Sequence, residues 1–241
     1  MQRILIINPN TTQSVTDRVL VACRQAHPQL RWSDMTARFG APYVASEASY
    51  AVAAHAVLDA FGLADPGAHD AVLIACFGDP GLLALREIAA VPVVGLAQAS
   101  FEAAARRGPF AVVTGGKAWG PILERFARMH QLDACLVGVH TVDLTGAQIA
   151  AEPERALDDL CGACERGLHA GATSVVLGGA ALAGLAARLQ PRLPIPLLDN
   201  VLLGAQAVVD AALRPPSALA PSDAARSAVK GLSAALTRLL V

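Results

Sequence analysis

A chain of 241 residues with a net charge of −1 gives no electrostatic basis for binding nucleic acid or an anionic membrane surface. Its hydrophobic fraction of 54% is sufficient for a large core, yet no apolar run reaches the roughly 18 residues that cross a bilayer. The N-terminal apolar stretch is too short for a signal peptide, and five scattered cysteines fit free thiols in a reducing compartment. We therefore expect a cytoplasmic protein without disulfides or membrane association.

Strands and helices alternate along the first half of the chain. The patterns predict strands at residues 3–7, 30–35, 71–76 and 92–95, and helices at 15–26, 50–62, 82–90 and 98–107. The strand that ends at Cys76 begins as an uninterrupted apolar run, which is typical of a strand buried on both faces of a parallel sheet. Residues 39–49 contain glycine, proline and polar residues, and they predict a loop over the end of that sheet.

The second half repeats this alternation. Strands are predicted at residues 110–114, 136–142, 173–177 and 195–198, and helices at 120–130, 152–170, 180–190 and 201–212. Residues 214–222 are rich in proline and serine and are predicted to be irregular. An amphipathic helix over 224–241 closes the chain, and its apolar face suggests association into a homo-oligomer.

The two halves also match in spacing. The distance along the chain from Asn8 to Cys76 nearly equals that from Thr114 to Gly179. This indicates a duplicated α/β unit, with two pseudo-symmetric lobes that each contain a parallel sheet flanked by helices. We predict a first lobe of residues 1–97 plus about 205–241 and a second lobe of residues 98–204. The strand ends of both lobes would face a shared cleft, where ligands gather in such sheets.

Cys76 is the candidate for chemistry in this cleft. It ends a predicted strand and precedes a turn with free backbone N–H groups. The dipole of the following helix would lower the pKa of its thiol and favour the reactive thiolate. The alternative is a buried cysteine that only fills space. Asp79 is predicted to cap the following helix, with direct catalysis as the alternative.

Two motifs carry a resemblance to a known family. INPNTT at residues 7–12 and ACFGDPGL at residues 75–82 resemble the Asp/Glu/hydantoin racemase superfamily, and the chain is most similar to its hydantoin and allantoin racemase branch. The resemblance covers nearly the whole chain and implies a cofactor-independent enzyme. It also implies that one cysteine from each lobe faces the substrate, so that one thiolate removes a proton and the other thiol delivers one from the opposite side.

The chain departs from that pattern in the second lobe. Where the branch has Gly-Cys-Ala, this sequence reads Gly178-Gly179-Ala180. Within the resemblance, only Cys76 is therefore kept as a catalytic cysteine. Cys161 and Cys164 form a C-x-x-C inside a predicted helix without a second ligand pair, and no histidine pair has metal spacing, so no metal is expected.

The turns after four strands supply the remaining candidates. Proton abstraction beside a carbonyl needs a base and donors for the oxyanion that forms. We predict that the N–H groups of Phe77, Gly78, Gly179 and Ala180 are these donors. Thr114 and Asn8 would orient a polar substrate, although Asn8 is also suited to bond its own turn. The complete predicted substrate-binding set is Asn8, Asn10, Thr11, Ser46, Phe77, Gly78, Thr114, Gly115, Gly178, Gly179 and Ala180.

Three functions fit a single cysteine. A racemase or epimerase of a small amino-acid-derived or hydantoin-like substrate requires water or a hydroxyl on the second face. A decarboxylase of a malonate-like acid requires only Cys76, which would protonate the enolate. A small-ligand binding protein would have lost the chemistry. The resemblance and the motifs together favour the racemase.

Overall fold

The structure is a computed structural model that describes residues 1–214 and 229–240. The described residues form two sheets of four parallel strands. The first sheet contains β1 (Arg3–Asn8), β2 (Arg31–Thr36), β3 (Ala71–Ile74) and β4 (Val93–Gly95) in the order β2-β1-β3-β4. The second sheet contains β5 (Phe110–Gly115), β6 (Leu136–Val142), β7 (Ser174–Gly178) and β8 (Leu197–Asp199) in the order β6-β5-β7-β8. The same strand order occurs twice, so the predicted α/β fold with two pseudo-symmetric lobes is confirmed.

Ten α-helices connect and flank the strands in the described part of the chain. They are α1 (Gln13–Ala26), α2 (Glu47–Leu63), α3 (Leu82–Ile88), α4 (Leu96–Ala105), α5 (Trp119–Met129), α6 (Gly146–Ala151), α7 (Pro153–His169), α8 (Leu185–Leu189), α9 (Asn200–Leu213) and α10 (Ala234–Leu240). None of these described helices is long and apolar enough to cross a membrane.

Alternating side chains divide the hydrophobic core into three layers. In β1, Ile4 and Ile6 point to a central cluster, whereas Leu5 and Ile7 join an outer cluster of the first lobe. The strand β5 behaves in the same way, since Phe110 and Val112 belong to the central cluster and its other apolar residues to the outer cluster of the second lobe. The central cluster therefore belongs to both lobes, and burying it joins them into one core.

The helices that follow the last strand of each sheet exchange lobes. α9 follows β8 of the second sheet but packs mainly on β3 and β4 of the first, whereas α4 follows β4 and packs on β7. α4 and α9 also pack on each other. The domain boundaries at 97/98 and near 205, which fall within α4 and α9, remain predictions.

Several predicted boundaries are wrong. β3 ends at Ile74, so Cys76 lies in the turn after the strand, not at its end. The helix predicted over 180–190 is broken by Gly184, whose φ of +83° interrupts helical geometry before α8. α6 was not predicted, because its six residues are too short to show a period.

The closing helix differs from its prediction. α10 begins at Ala234 and packs on α2. Its residues Leu239 and Leu240 pack against the outer cluster of the first lobe, and Leu236 is buried. Gly62 of α2 is required there, because a Cβ on it would lie 3.0 Å from the backbone of Ala235. The apolar face of this helix is thus covered within the chain, which removes the reason given above for a homo-oligomer. The predicted irregular segment from residue 215 and the helical residues 224–228 lie outside the described residues.

Candidate active site

A pocket that is open to solvent lies at the carboxyl ends of the central strands, between the two lobes; its empty space, including the part open to solvent, is about 570 Å³. This is the edge at which parallel α/β sheets bind ligands. The turns after β1, β3, β5 and β7 all contribute to its wall. The lining residues are Asn10, Thr12, Val15, Pro42, Tyr43, Val44, Ala75, Cys76, Phe77, Thr114, Gly115, Trp119, Gly146, Gly179, Ala180, Ala181 and Leu182. Among these described lining residues, no side chain carries a formal charge.

Cys76 lies in the wall of this pocket as a free thiol that is 7% exposed. Its carbonyl accepts a 3.0 Å hydrogen bond from the N–H of Asp79, which closes the turn. Burial, and secondarily the Asp79 carboxylate, raise the pKa of the thiol well above its usual range. The expectation of a lowered pKa is therefore wrong. The helix α3 begins only at Leu82, too far along the chain for its dipole to offset desolvation.

Backbone donors lie beside this thiol. Four backbone N–H groups have no acceptor among the described residues, namely those of Cys76, Phe77, Gly179 and Ala180. Buried backbone N–H groups are nearly always paired, so unpaired ones in a pocket indicate a place for a ligand oxygen. Gly78 does not line the pocket; its carbonyl accepts from Tyr50 Oη at 2.6 Å, and a Cβ on it would lie 2.6 Å from the Trp119 ring.

The turn after β1 contributes Asn10 rather than Asn8. Asn8 is fully buried below the pocket, where its Nδ2 donates to Asn10 Oδ1 and Thr16 Oγ1 and its Oδ1 accepts from the N–H of Asn10. Its predicted role in substrate binding is therefore wrong, and it stabilises the turn. Asn10 lines the pocket, and its Nδ2 has no acceptor among the described residues.

Thr11 also faces away from the pocket, and its backbone N–H donates to Ala41 O at 3.1 Å. The neighbouring Thr12 lines the pocket instead, with its hydroxyl donating to Pro42 O at 2.7 Å. These two bonds attach the loop of residues 40–46 to the first lobe.

That loop reaches across to the second lobe through Tyr43. Its hydroxyl donates to Gly115 O at 2.9 Å, and burial raises the pKa of this phenol. Tyr43 was missed by sequence reasoning, although an aromatic residue among glycine, proline and alanine in a predicted cleft loop was an available signal. Ser46, the predicted residue, instead caps α2 by accepting from the N–H of Ser49, and it does not line the pocket.

The second lobe contributes Thr114 and Gly115 from the end of β5. Thr114 is 5% exposed, and its hydroxyl has no hydrogen-bond partner among the described residues. Gly115 is required by close approach, since a Cβ there would lie 2.6 Å from Leu144 O. Trp119 follows at the start of α5 and was not predicted.

The end of β7 and the turn after it hold Gly178, Gly179 and Ala180, three residues of the predicted substrate-binding set. Gly178 packs under the Phe77 ring, where a Cβ would lie 2.3 Å from Cε1, so it does not line the pocket. Gly179 lines the pocket with a φ of +133°, which L side chains rarely adopt. Asn200 holds this turn by donating from Nδ2 to the carbonyl oxygens of Leu177 and Gly179.

The prediction that Asp79 caps the helix directly after it is wrong, because α3 has no side-chain cap and Asp79 bonds the start of α4 instead. Its carboxylate accepts from the N–H groups of Ala97 and Gln98, at 2.8 Å each, in the first turn of α4. Gly95 leaves the room for it, because a Cβ there would lie 2.1 Å from the carboxyl group. Burial outweighs these bonds and raises the pKa of Asp79 to about 7. Asp79 thus couples the turn of Cys76 to the helix that crosses between the lobes.

Comparison with known proteins identifies the family. The model of the family described as Asp/Glu/Hydantoin racemase matches residues 4–208. The chain belongs to this family. A hydantoin racemase of Rhizobium meliloti is 32% identical over 205 residues, which cover 82% of this chain and 83% of that enzyme. The family relationship indicates an isomerase of the racemase type.

Solved structures give the same relationship at the level of the fold. An allantoin racemase from Klebsiella pneumoniae superposes with a TM-score of 0.87, at 30% identity over 99% of both chains. A variant of arylmalonate decarboxylase is more distant, with a TM-score of 0.66 at 16% identity over 90% of this chain and 97% of that chain. This second similarity extends to the fold alone.

Proposed function

We propose that this member of the racemase family moves a proton at the ring carbon next to a carbonyl group in a small, uncharged substrate of the hydantoin type. The observation that carries the proposal is a pocket with one thiol, unpaired backbone donors and no charged lining side chain among the described residues. A free amino acid would bring a carboxylate and an ammonium group into this pocket without counter-charges. Removing each ion from water would cost on the order of several kcal/mol. A neutral cyclic ureide has only amide donors and carbonyl acceptors to satisfy.

The chemistry follows from the two kinds of group in the wall. The Cys76 thiolate takes the proton from carbon, and the electron pair of the broken C–H bond moves onto the neighbouring carbonyl oxygen. The N–H groups of Phe77, Gly179 and Ala180 are the candidates that stabilise this oxyanion. Asn10 Nδ2 is a further donor for a second carbonyl of the ring. Return of a proton to the opposite face of the carbon completes the inversion.

The apolar part of the wall supports a hydrocarbon substituent on the ring. Val15, Val44, Trp119 and Leu182 line the pocket together with Tyr43. Burying an apolar substituent against such side chains is favourable by about 25 cal/mol per Å² of surface removed from water. We therefore propose alkyl-substituted or aryl-substituted rings in preference to polar ones.

One observation also favours a second candidate, a one-sided decarboxylase. The raised pKa of Cys76 keeps it as a thiol at neutral pH, and a thiol is the form that protonates an enolate left by loss of CO2. The absence of a charged lining side chain among the described residues makes a malonate-like dianion the less suitable ligand.

Hydrogen–deuterium exchange at the reactive carbon tests the proposal. In D2O, wild type is expected to exchange and invert a single enantiomer of an alkyl hydantoin and to leave aspartate and glutamate unchanged. Cys76→Ala is expected to lower the exchange rate by about 10²- to 10⁴-fold, the usual contribution of a positioned acid–base group. Cys135→Ala is the matched control, because Cys135 is a free cysteine outside the pocket.

The other functions give different results in the same experiment. Release of CO2 from a malonate-like acid without inversion of the hydantoin would support the decarboxylase. Binding without exchange or product would support a ligand-binding protein. Unchanged exchange in Cys76→Ala would contradict the proposed role of the thiol.

A further inference from the structure

Cys76 and Gly179 both line the pocket. In the function proposed above, Gly179 lies on the face of the substrate opposite Cys76, so the residue that serves this face has to be sought among the neighbours of Gly179. A Cβ placed on Gly179 would lie 3.9 Å from Thr114 Oγ1, with only Leu182 nearer. Thr114 and Gly178 are paired in the sheet through β5 and β7, which fixes Thr114 beside this turn. Thr114 is therefore the polar side chain closest to the space that a side chain at position 179 would occupy.

Other polar groups in the wall are already engaged. The hydroxyl of Thr12 donates to Pro42 O, and that of Tyr43 donates to Gly115 O. Asn10 belongs to the first lobe and offers amide N–H groups, which are not proton donors in acid–base chemistry. Among the described lining residues, Thr114 is thus the one with a hydroxyl not committed to a protein acceptor.

We propose that Thr114 holds, over Gly179, the water molecule that delivers a proton to the carbon on the face opposite Cys76. This inference rests on the function proposed above and names the group that replaces the second thiol. Thr114 acts as a positioning residue, because a threonine hydroxyl both donates and accepts and so orients a water without itself being the base. Gly179 leaves the room that the water needs.

The proton balance closes without any co-reactant. Cys76 thiolate takes the proton from carbon and becomes a thiol, while the electron pair resides on the carbonyl oxygen. The water on the second face gives its proton to carbon and becomes hydroxide, which takes the proton of Cys76 through solvent. The product is the opposite enantiomer, and water and thiolate are restored.

This arrangement makes the two faces unequal. Water, with a pKa of about 15.7, is a much weaker acid than a thiol. The enolate therefore recovers a proton from the Cys76 side more often than it accepts one from water. Once the Cys76 thiol has exchanged its proton with the solvent, its return of a deuteron to carbon gives exchange with retention. We expect this to exceed inversion in the wild type.

The ratio of exchange to inversion tests Thr114. Thr114→Val keeps the shape of the side chain and removes the hydroxyl. The rate of inversion of one enantiomer in D2O is expected to fall by about tenfold or more, which lies within the range of one acid–base group. The rate of exchange with retention is expected to change little. Thr114→Ser restores the hydroxyl and is expected to restore the wild-type ratio. Thr173→Val is the matched control, since Thr173 lies outside the pocket and its hydroxyl donates to a carbonyl oxygen, that of Pro109.

Each outcome decides the inference. If Thr114→Val lowers exchange and inversion by the same factor, Thr114 only binds substrate. If inversion is unchanged, Thr114 has no role. Either result overturns the proposal. If Thr114→Val does not fold, Thr114→Ala and Thr114→Ser give the same comparison. A wild type with no exchange on any hydantoin would instead reject the proposed function itself.

Discussion

At the residue scale, the proposed chemistry depends on a thiol, Cys76, that its surroundings keep protonated. Cys76 lies among apolar side chains, with the Asp79 carboxylate as the neighbour that further disfavours a negative charge. No cationic side chain lines the pocket in the described part of the chain. In the proposed mechanism, the unpaired N–H groups beside the thiol would hold a substrate oxygen and stabilise the charge that forms on the substrate rather than on the sulfur.

We predict that exchange catalysed by Cys76 rises with pH beyond the usual range of a thiol. Burial raises the pKa of Cys76 above its ordinary value of 9.0, so the thiolate is a minor species throughout the neutral range. Because its fraction grows about tenfold per pH unit below the pKa, the rate is expected to rise by about tenfold per unit, which is about 100-fold from pH 7 to pH 9. The measurement is the rate of deuterium exchange at saturating substrate. A plateau below about pH 8 would contradict the prediction.

Gly178 supports the site by leaving room for the Phe77 ring. In Gly178→Ala the new methyl group would lie 2.3 Å from Phe77 Cε1, so the ring or the strand end must move, at a cost of about 1–3 kcal/mol. Gly120→Ala in α5 is the matched control; nothing lies within 4 Å of its added Cβ, and a gain of roughly 0.5–1 kcal/mol in the free energy of unfolding is expected. Urea unfolding measures both. Equal stability of Gly178→Ala and wild type would show that Phe77 repacks freely.

At the scale of elements, the loop of residues 40–46 connects the lobes over the pocket. The bonds of Thr11 and Thr12 hold one side of the loop to the first lobe, and Tyr43 binds the end of β5 in the second. A second connection lies at the surface, where Arg125 of α5 pairs with Glu47 of α2. That ion pair is exposed and adds little, so the Tyr43 hydrogen bond is the principal polar link of the loop to the second lobe.

We predict that Tyr43→Phe weakens substrate binding more than it slows catalysis. Losing one hydrogen bond of about 0.5–1.5 kcal/mol loosens a wall of the pocket, which corresponds to an increase in KM of roughly two- to tenfold with little change in kcat. Tyr50→Phe is the control, because its hydroxyl bonds Gly78 O within the first lobe and Tyr50 does not line the pocket. Steady-state kinetics separates the two effects. A KM equal to that of wild type would show that the loop needs no bond from Tyr43.

At the scale of the whole molecule, the central cluster joins the two repeated lobes into one hydrophobic core. Residues of both sheets meet in this cluster. The helix α4 follows the first sheet but packs on the second, and α9 follows the second sheet but packs on the first. Neither lobe could unfold alone without exposing this shared apolar layer. The pocket lies at the edge of the same layer, so its geometry depends on the joined lobes.

We predict that the two lobes unfold in one transition. The chain has two tryptophans, Trp32 in β2 of the first lobe and Trp119 in α5 of the second, and both belong to the central cluster. Trp119→Phe leaves a probe of the first lobe, and Trp32→Phe leaves a probe of the second. The denaturation midpoint from fluorescence is expected to coincide with that from circular dichroism in each variant, as two-state unfolding requires. Separate fluorescence and circular dichroism midpoints in either variant would indicate independent lobes.

The sequence by itself determined the order of strands and helices, the duplication, the candidate thiol Cys76 and the family. These depend on hydrophobic periodicity and on short motifs, which are local properties of the chain. Only the tertiary structure decided which members of each turn face the pocket. Asn10 and Thr12 line it while Asn8 and Thr11 do not, and Tyr43 replaces Ser46. It also decided that the pKa of Cys76 is raised, because desolvation comes from side chains of both lobes, which are far apart in sequence.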